Sequence, residues 1–106
     1  MIKMREIKKY ADRLAEKFRP KRIILFGSYA GGKPTENSDV DLLVIMPFKG
    51  RAVKQAIKIE LEEPAVFPTD IITRTPGEVN KRLKMGDPFI SEIVNFGIPL
   101  YESYSR

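Results

Sequence analysis

The stretch RIILFGSYAGGKPTENSDVDLLVIM, residues 22–46, contains the features from which the fold can be predicted. Two apolar runs, residues 22–26 and 40–46, have the length and the branched side chains of buried strands. A polar loop with glycine and proline joins them, and Pro47 stops the second run. The two runs are therefore predicted to be neighbouring strands, with the loop at one end of a sheet.

The rest of the chain alternates between helical and strand-like patterns. Helices are predicted at residues 2–18, 51–61, 76–84 and 88–96, with Gly97 as the last C-cap, and further strands at 65–73 and 98–101. In the last helix, the residues predicted to face inward are Phe89, Ile90, Ile93 and Val94. Pro68 favours an edge position or a bulge for the third strand. An α/β or α+β layer fold is expected, in which helices flank a small mixed sheet.

Two missing residue types narrow the chemistry that the chain can perform. It contains neither cysteine nor histidine, which excludes disulfides, histidine-ligated zinc and histidine-dependent nucleophilic catalysis. Any metal would need oxygen ligands, which favours Mg²⁺ or Mn²⁺. The net charge of +5 suits a polyanionic partner, although basic surfaces also serve solubility alone. A cytoplasmic location is expected, because no apolar run is long enough for a membrane span and the N-terminus does not resemble a secretory signal.

Asp39 and Asp41 stand at the beginning of the second apolar run, where a carboxylate is costly to bury. Because side chains alternate along a strand, both acids are predicted to point to one face and Val40 to the other. Their Cα atoms would lie roughly 6.5 Å apart, from a rise of about 3.3 Å per residue. Such a pair can converge on a divalent cation, and without one the two carboxylates repel each other and raise one pKa. The simpler alternative is a turn at Asp39 followed by a solvated edge residue.

The pair Gly27-Ser28, at the end of the first run, favours the metal-binding alternative. Glycine lets the backbone approach a phosphate closely, and Ser28 offers an N–H and a hydroxyl. A helical turn after Ser28 would add a partial positive charge. A phosphate cradle that faces a carboxylate metal site suits nucleotidyl transfer with two metals. Asp70 is the best candidate for a third carboxylate, and the alternative for it is an exposed strand acid.

Two motifs at either end of the loop resemble a known family. FGSYA (residues 26–30) and SDVDL (residues 38–42) are similar to the signature of the DNA polymerase β-like nucleotidyltransferase superfamily, and especially of its minimal nucleotidyltransferase (MNT) branch. Asp70 falls where that family has its third acid, and residues 87–102 resemble the family's C-terminal end. The resemblance implies a polymerase β-like palm and a single minimal nucleotidyltransferase domain over residues 1–106.

The family resemblance also implies a reaction and a set of site residues. Asp39, Asp41 and Asp70 would be the catalytic acids and would hold Mg²⁺, with two ions expected. Gly27 and Ser28 would bind the triphosphate of an NTP, usually ATP.

The same resemblance implies a partner protein, and the chain departs from the family pattern at one position. Members of this branch are commonly antitoxins, and some transfer AMP from ATP to a tyrosine of a helical HEPN-domain toxin. Many relatives carry an arginine where this chain has Gly31. Lys33 or another basic residue would then have to contact the triphosphate in its place.

Other functions remain open from the sequence. A non-catalytic antitoxin that neutralises its HEPN partner by direct binding would carry the same motifs. Nucleotidylation of an aminoglycoside usually needs an additional drug-binding domain. Nucleic-acid binding through Lys54 and Lys58 is disfavoured, because no aromatic side chains interleave with them as stacking platforms. The acceptor and the oligomeric state do not follow from the sequence.

Overall fold

The computed structural model describes residues 1–104 and contains a four-stranded sheet with helices on both faces. The helices are α1 (Met4–Phe18), α2 (Gly27–Ala30), α3 (Ala52–Glu62), α4 (Pro76–Met85) and α5 (Pro88–Phe96), and the strands are β1 (Arg22–Phe26), β2 (Val40–Ile45), β3 (Thr69–Arg74) and β4 (Ile98–Glu102). The strand order is β3-β2-β1-β4, with β1 antiparallel to both neighbours and β2 parallel to β3. The predicted mixed sheet flanked by helices is confirmed. Within residues 1–104, no helix has both the length and the apolar character that a membrane span requires.

The core has two halves, because side chains along a strand alternate between the faces of the sheet. On one face, Leu42 and Val44 pack with apolar residues of α1 and α3. On the other face, Leu43 and Ile45 pack with apolar residues of α4 and α5. Asp41 has the same parity as Leu43, so it lies at the end of the face that α4 and α5 cover.

Strand β3 begins later than its apolar pattern predicted. The predicted strand covered residues 65–73, whereas β3 begins at Thr69. Pro68 has no N–H for a ladder, and the Thr69 hydroxyl donates to the Phe67 carbonyl oxygen at 3.2 Å, which bends the chain locally. The Pro68 carbonyl oxygen still accepts from the N–H of Val40 at 2.9 Å. The predicted edge position is confirmed, since β3 is the outermost strand beside β2.

Helix α5 packs on the sheet along a narrower stripe than predicted. Ile90 and Ile93 are buried as expected, whereas Phe89 is 47% exposed and Val94 is only partly buried. The Phe89 ring instead meets Phe26 edge-on, with ring centroids 5.8 Å apart. The inward position predicted for Phe89 was therefore wrong, because this side chain borders a groove beside the sheet.

Gly97 joins α5 directly to β4 and is pressed against β1. A Cβ at this position would lie 2.5 Å from Ile24 Cγ2, 2.5 Å from the Ile93 carbonyl oxygen and 2.9 Å from that of Leu25. Two of these atoms belong to backbone that is hydrogen-bonded in place. Gly97→Ala is therefore expected to lower the free energy of unfolding by about 1–3 kcal/mol, measured by denaturant unfolding. Gly77→Ala in α4, where a Cβ would meet open space, is the control, and an equal loss in both variants would contradict the prediction.

Candidate active site

Three acidic residues come together at the end of the sheet where β1 finishes and β2 and β3 begin. Asp41 is paired in register with Asp70 of the parallel strand β3, so their Cα atoms are separated by roughly the strand spacing of about 4.8 Å. Asp39 precedes β2 by one residue, and the strand period places it on the same side as Asp41. Asp41 is partly buried, whereas Asp39 and Asp70 are exposed.

The electrostatics of this cluster are unfavourable for the ionised form of Asp41. Its pKa is raised above the ordinary value, first by desolvation and then by the negative charges of Asp70 and Asp39. A proton or a cation bound among these carboxylates would relieve the repulsion.

The donor set fits a hard divalent cation, because all three candidate ligands are carboxylates. Within residues 1–104, however, no three acidic side chains are already gathered into a complete metal site. Side-chain rotation would have to bring Asp39 or Asp70 closer to Asp41. Phosphate and water oxygens would supply the remaining ligands, as is common for Mg²⁺.

Gly27 allows the turn after β1 to contact this cluster directly. Its φ of 74° lies in the left-handed region that favours glycine. A Cβ at this position would overlap Oδ2 of Asp41 and lie 3.0 Å from its Cγ. Phe26, the residue before it, is paired in register with Asp41. The position therefore requires glycine for two reasons, its backbone conformation and its contact with a site carboxylate.

Helix α2 is a single turn of four residues that begins at Gly27, so the helical turn predicted after Ser28 is present but begins earlier in the chain. A helix this short has only a small macrodipole, because few peptide dipoles are aligned. Ser28 is exposed, and its hydroxyl and the N–H groups of this first turn are the donors available to a phosphate. The side chain of Lys33 is exposed, and its backbone N–H donates to the Ser28 carbonyl oxygen at 3.1 Å, which holds the following loop against α2.

The loop between α2 and β2 is held at both ends. The Tyr29 ring is buried, and its hydroxyl oxygen accepts from the N–H of Ile2 at 3.1 Å, which ties α2 to the N-terminal segment. Before β2, the N–H of Thr35 donates to Ser38 Oγ at 2.9 Å, and the N–H of Ser38 donates to the Thr35 carbonyl oxygen at 3.1 Å. The α2 turn and the segment before Asp39 are thus both held by local hydrogen bonds.

A groove of about 590 Å³ opens beside this turn. One wall is formed by Gly27 and Ala30 of α2 and by Gly31 just after it, and the other by Phe89, Glu92, Ile93 and Phe96 of α5. The α5 wall was not predicted from the sequence, because α5 is distant from Gly27 in the chain and Phe89 was expected to face inward. The spacing of Phe89, Glu92 and Phe96, which places them on one helical face, is the signal that could have indicated it.

Comparison with known sequences assigns the chain to a family. The nucleotidyltransferase domain model matches residues 7–99. One relative, a "putative protein adenylyltransferase" of Methanocaldococcus jannaschii, is 47% identical over 47 residues, which are 42% of this chain and 47% of the relative. Two others of the same description and organism are 45% identical over 70 residues (64% of this chain, 70% of the relative) and 34% identical over 77 residues (73% and 75%). The chain thus matches about half the length of the first relative.

Solved structures share the fold at low sequence identity. A "putative nucleotidyltransferase" from Sulfolobus solfataricus has a TM-score of 0.57 at 23% identity, covering 73% of this chain and 70% of that chain. A mutant toxin–antitoxin MntA-HpeT has a TM-score of 0.54 at 19% identity, and a toxin–antitoxin with AMP-PNP has 0.54 at 21%, each covering 92% of this chain and 74% of the other. Since the family model spans residues 7–99, the chain belongs to the nucleotidyltransferase domain family, and the resemblance carried by its sequence motifs is confirmed.

Proposed function

We propose that this protein is a Mg²⁺-dependent nucleotidyltransferase that transfers AMP from ATP to a tyrosine hydroxyl of a HEPN-domain toxin, and so acts as the antitoxin of the pair. The pairing of Asp41 with Asp70, with Gly27 packed on Asp41, is the observation that carries the proposal. The relatives described as protein adenylyltransferases support AMP as the transferred group. The toxin–antitoxin structural neighbours support a toxin as partner.

In this mechanism the chain positions two reactants across the carboxylate cluster. Asp39, Asp41 and Asp70 would hold Mg²⁺, which when bound would neutralise phosphate charge and lower the pKa of the attacking hydroxyl. Ser28 would donate hydrogen bonds to β- and γ-phosphate oxygens, with Lys33 as a further cation on the same loop.

The acceptor would approach at the outer edge of the sheet, where Asp70 lies exposed on the edge strand β3. The tyrosine oxygen attacks the α-phosphorus, and the bond from this phosphorus to the bridging oxygen of the β-phosphate breaks. Asp70 accepts the hydroxyl proton, and pyrophosphate leaves. The products are the AMP ester of the tyrosine and pyrophosphate.

Labelled ATP tests the proposal directly. With Mg²⁺ and the HEPN partner, ATP labelled at the α-phosphate should label the partner, and ATP labelled at the γ-phosphate should not. Replacing the acceptor tyrosine of the partner by phenylalanine should remove the label. Equal labelling by an Asp39→Asn/Asp41→Asn variant would rule out this assignment of the catalytic acids.

A non-catalytic antitoxin is the second candidate. One observation favours it: Gly31 stands where the family resemblance implies an arginine that would contact the triphosphate. In that case Asp39→Asn/Asp41→Asn should rescue toxin-expressing cells as well as the wild type does. Under the catalytic proposal the same variant should fail to rescue, although it still binds the partner in a pull-down.

The position of Gly31 provides a gain-of-function prediction. Its backbone is right-handed, and a Cβ would lie 3.6 Å from the Gly27 carbonyl oxygen, an ordinary contact distance, so a side chain is sterically allowed. Gly31→Arg should lower the KM for ATP about two- to fivefold, because an exposed cation would then pair with the triphosphate. The gain should disappear in high salt. Gly31→Gln, which has a polar but uncharged side chain, is the control, and an equal gain there would contradict the electrostatic explanation.

A further inference from the structure

We infer that the groove between α2 and α5 binds the nucleoside end of the donor NTP, and that Glu92 determines its specificity by accepting hydrogen bonds from nucleoside donor groups. This inference rests on the proposed function, because it assumes that the triphosphate lies at Gly27 and Ser28. The groups that could donate are the ribose hydroxyls and the exocyclic amine of the base.

The groove lies next to the carboxylate cluster, because two of the residues that line it are also neighbours of Asp41. Gly27 lines the groove and also contacts Asp41, and Phe26 lines it and is paired in register with Asp41. A nucleotide with its phosphates at the Gly27 turn can therefore extend into the groove without crossing another element. The groove volume of about 590 Å³ is within the range of small-molecule sites.

One face of α5 supplies aromatic surface to the groove. Phe89 and Phe96 lie about one helical turn on either side of Glu92, and all three line the groove. Phe96 is 79% exposed, and Phe89 is 47% exposed although its edge meets Phe26, so both rings present apolar surface to the groove. Such rings are suitable stacking surfaces for a base, whose π-face any aromatic side chain can cover.

The charges of the groove determine which end of a nucleotide enters it. Glu92 is the only charged residue among the described residues that line the groove, and no lysine or arginine faces it. A carboxylate repels phosphate and accepts hydrogen bonds from hydroxyl and amine groups. The groove therefore suits the uncharged, donor-rich nucleoside end and disfavours the triphosphate.

Comparing the binding of ATP with that of inorganic tripolyphosphate, which lacks the nucleoside, measures how much the nucleoside contributes to affinity. Calorimetry in Mg²⁺ should show that wild-type protein binds ATP more tightly than tripolyphosphate. Phe96→Ala should raise the Kd for ATP about tenfold, the effect expected for one lost base stack, and leave that for tripolyphosphate unchanged. Leu61→Ala on α3 is the matched control, because Leu61 is 77% exposed and apolar but lies outside the groove.

Glu92→Ala identifies the donor group that is recognised. If the ribose hydroxyls are bound, the variant should lose the preference for ATP over 2′- or 3′-deoxyATP. If the base amine is bound, it should lose the preference for ATP over ITP. Glu60→Gln, on the exposed side of α3, should change neither preference.

Two outcomes would overturn the inference, and neither depends on whether AMP transfer occurs. The first is equal affinity of the wild type for ATP and tripolyphosphate. The second is an unchanged Kd for ATP in Phe96→Ala and Glu92→Ala with a raised Kd for the partner protein, which would mean that the groove binds the partner. Conversely, nucleoside-dependent ATP binding without any AMP transfer would refute the proposed reaction and leave the inference standing.

Discussion

If the proposed reaction is correct, replacing Asp41 by asparagine should reduce AMP transfer by about a thousandfold or more, because the site would lose a carboxylate that is expected to ligate the metal. Asp41 is the member of the cluster that touches Gly27 and is paired with Asp70, so both halves of the site depend on it. Asparagine is nearly isosteric, so the contact with Gly27 is kept. The expected loss is therefore chemical rather than structural.

Although this variant should lose activity, its folded state should be as stable as that of the wild type or more stable. The pKa of Asp41 is raised by desolvation and by Asp70 and Asp39, so the folded protein holds the proton more tightly than the unfolded chain does. The stability contributed by this group is therefore full below its unfolded pKa of about 3.9 and is lost as the pH rises through the raised folded pKa. Asparagine cannot ionise, so metal-free Asp41→Asn should melt at the same temperature as the wild type or higher at neutral pH.

Two measurements check these predictions for Asp41→Asn. Transfer from ATP labelled at the α-phosphate tests the loss of activity, and thermal melts with and without Mg²⁺ test the stability and the metal binding. Mg²⁺ should raise the melting temperature of the wild type and leave Asp41→Asn nearly unchanged. Asp12→Asn, which alters an exposed carboxylate paired with Lys8 on α1, is the control and should behave like the wild type in both assays. A variant at Asp41 that keeps its transfer activity, or that responds to Mg²⁺ as the wild type does, would show that Asp41 is not a ligand.

Gly27→Ala is expected to reduce AMP transfer by about a hundredfold or more, since a displaced carboxylate misplaces the reacting groups. The new Cβ would overlap Asp41 Oδ2, so either the carboxylate or the α2 turn has to move. A left-handed backbone at alanine should also lower the free energy of unfolding by about 1–2 kcal/mol.

Gly32 offers a closely matched control for this prediction. Its φ is also 74°, and a Cβ there would meet nothing within 4 Å. Gly32→Ala should therefore lose a similar amount of unfolding free energy and keep its transfer activity. Kinetics and denaturant unfolding of both variants separate backbone strain from the contact with Asp41. Equal loss of activity in the two variants would mean that the turn matters only through its backbone conformation.

The local patterns of the chain were sufficient to predict most of the elements and the residues of the candidate site. Strand β1 has the predicted bounds, and Asp39 and Asp41 stand at the start of β2 as the alternation of side chains indicated. Gly27 ends β1 as predicted, and a short helical turn is present, although it begins at Gly27 rather than after Ser28. These features depend on neighbours in sequence, which is why the sequence reveals them.

Predictions that depended on packing were less successful. The start of β3 was predicted too early, since the apolar pattern does not show that the segment before Thr69 bends away at Pro68. Phe89 was expected inside, because an apolar residue on an amphipathic helix looks the same whether it covers a core or borders a groove. The exposed aromatic wall of α5 follows only from where the helix crosses the sheet.

The sequence by itself determined that two carboxylates, a glycine-serine turn and a distant third acid exist in a small mixed α/β domain, because residue spacing and strand periodicity are local properties. Only the tertiary structure decided that Asp41 and Asp70 are paired in register, that Gly27 packs on Asp41, and that α5 forms a groove beside them. These relations join residues from β1, β2, β3 and α5. They depend on strand order and on helix packing over the sheet, which are set by burial of the whole core rather than by any one segment.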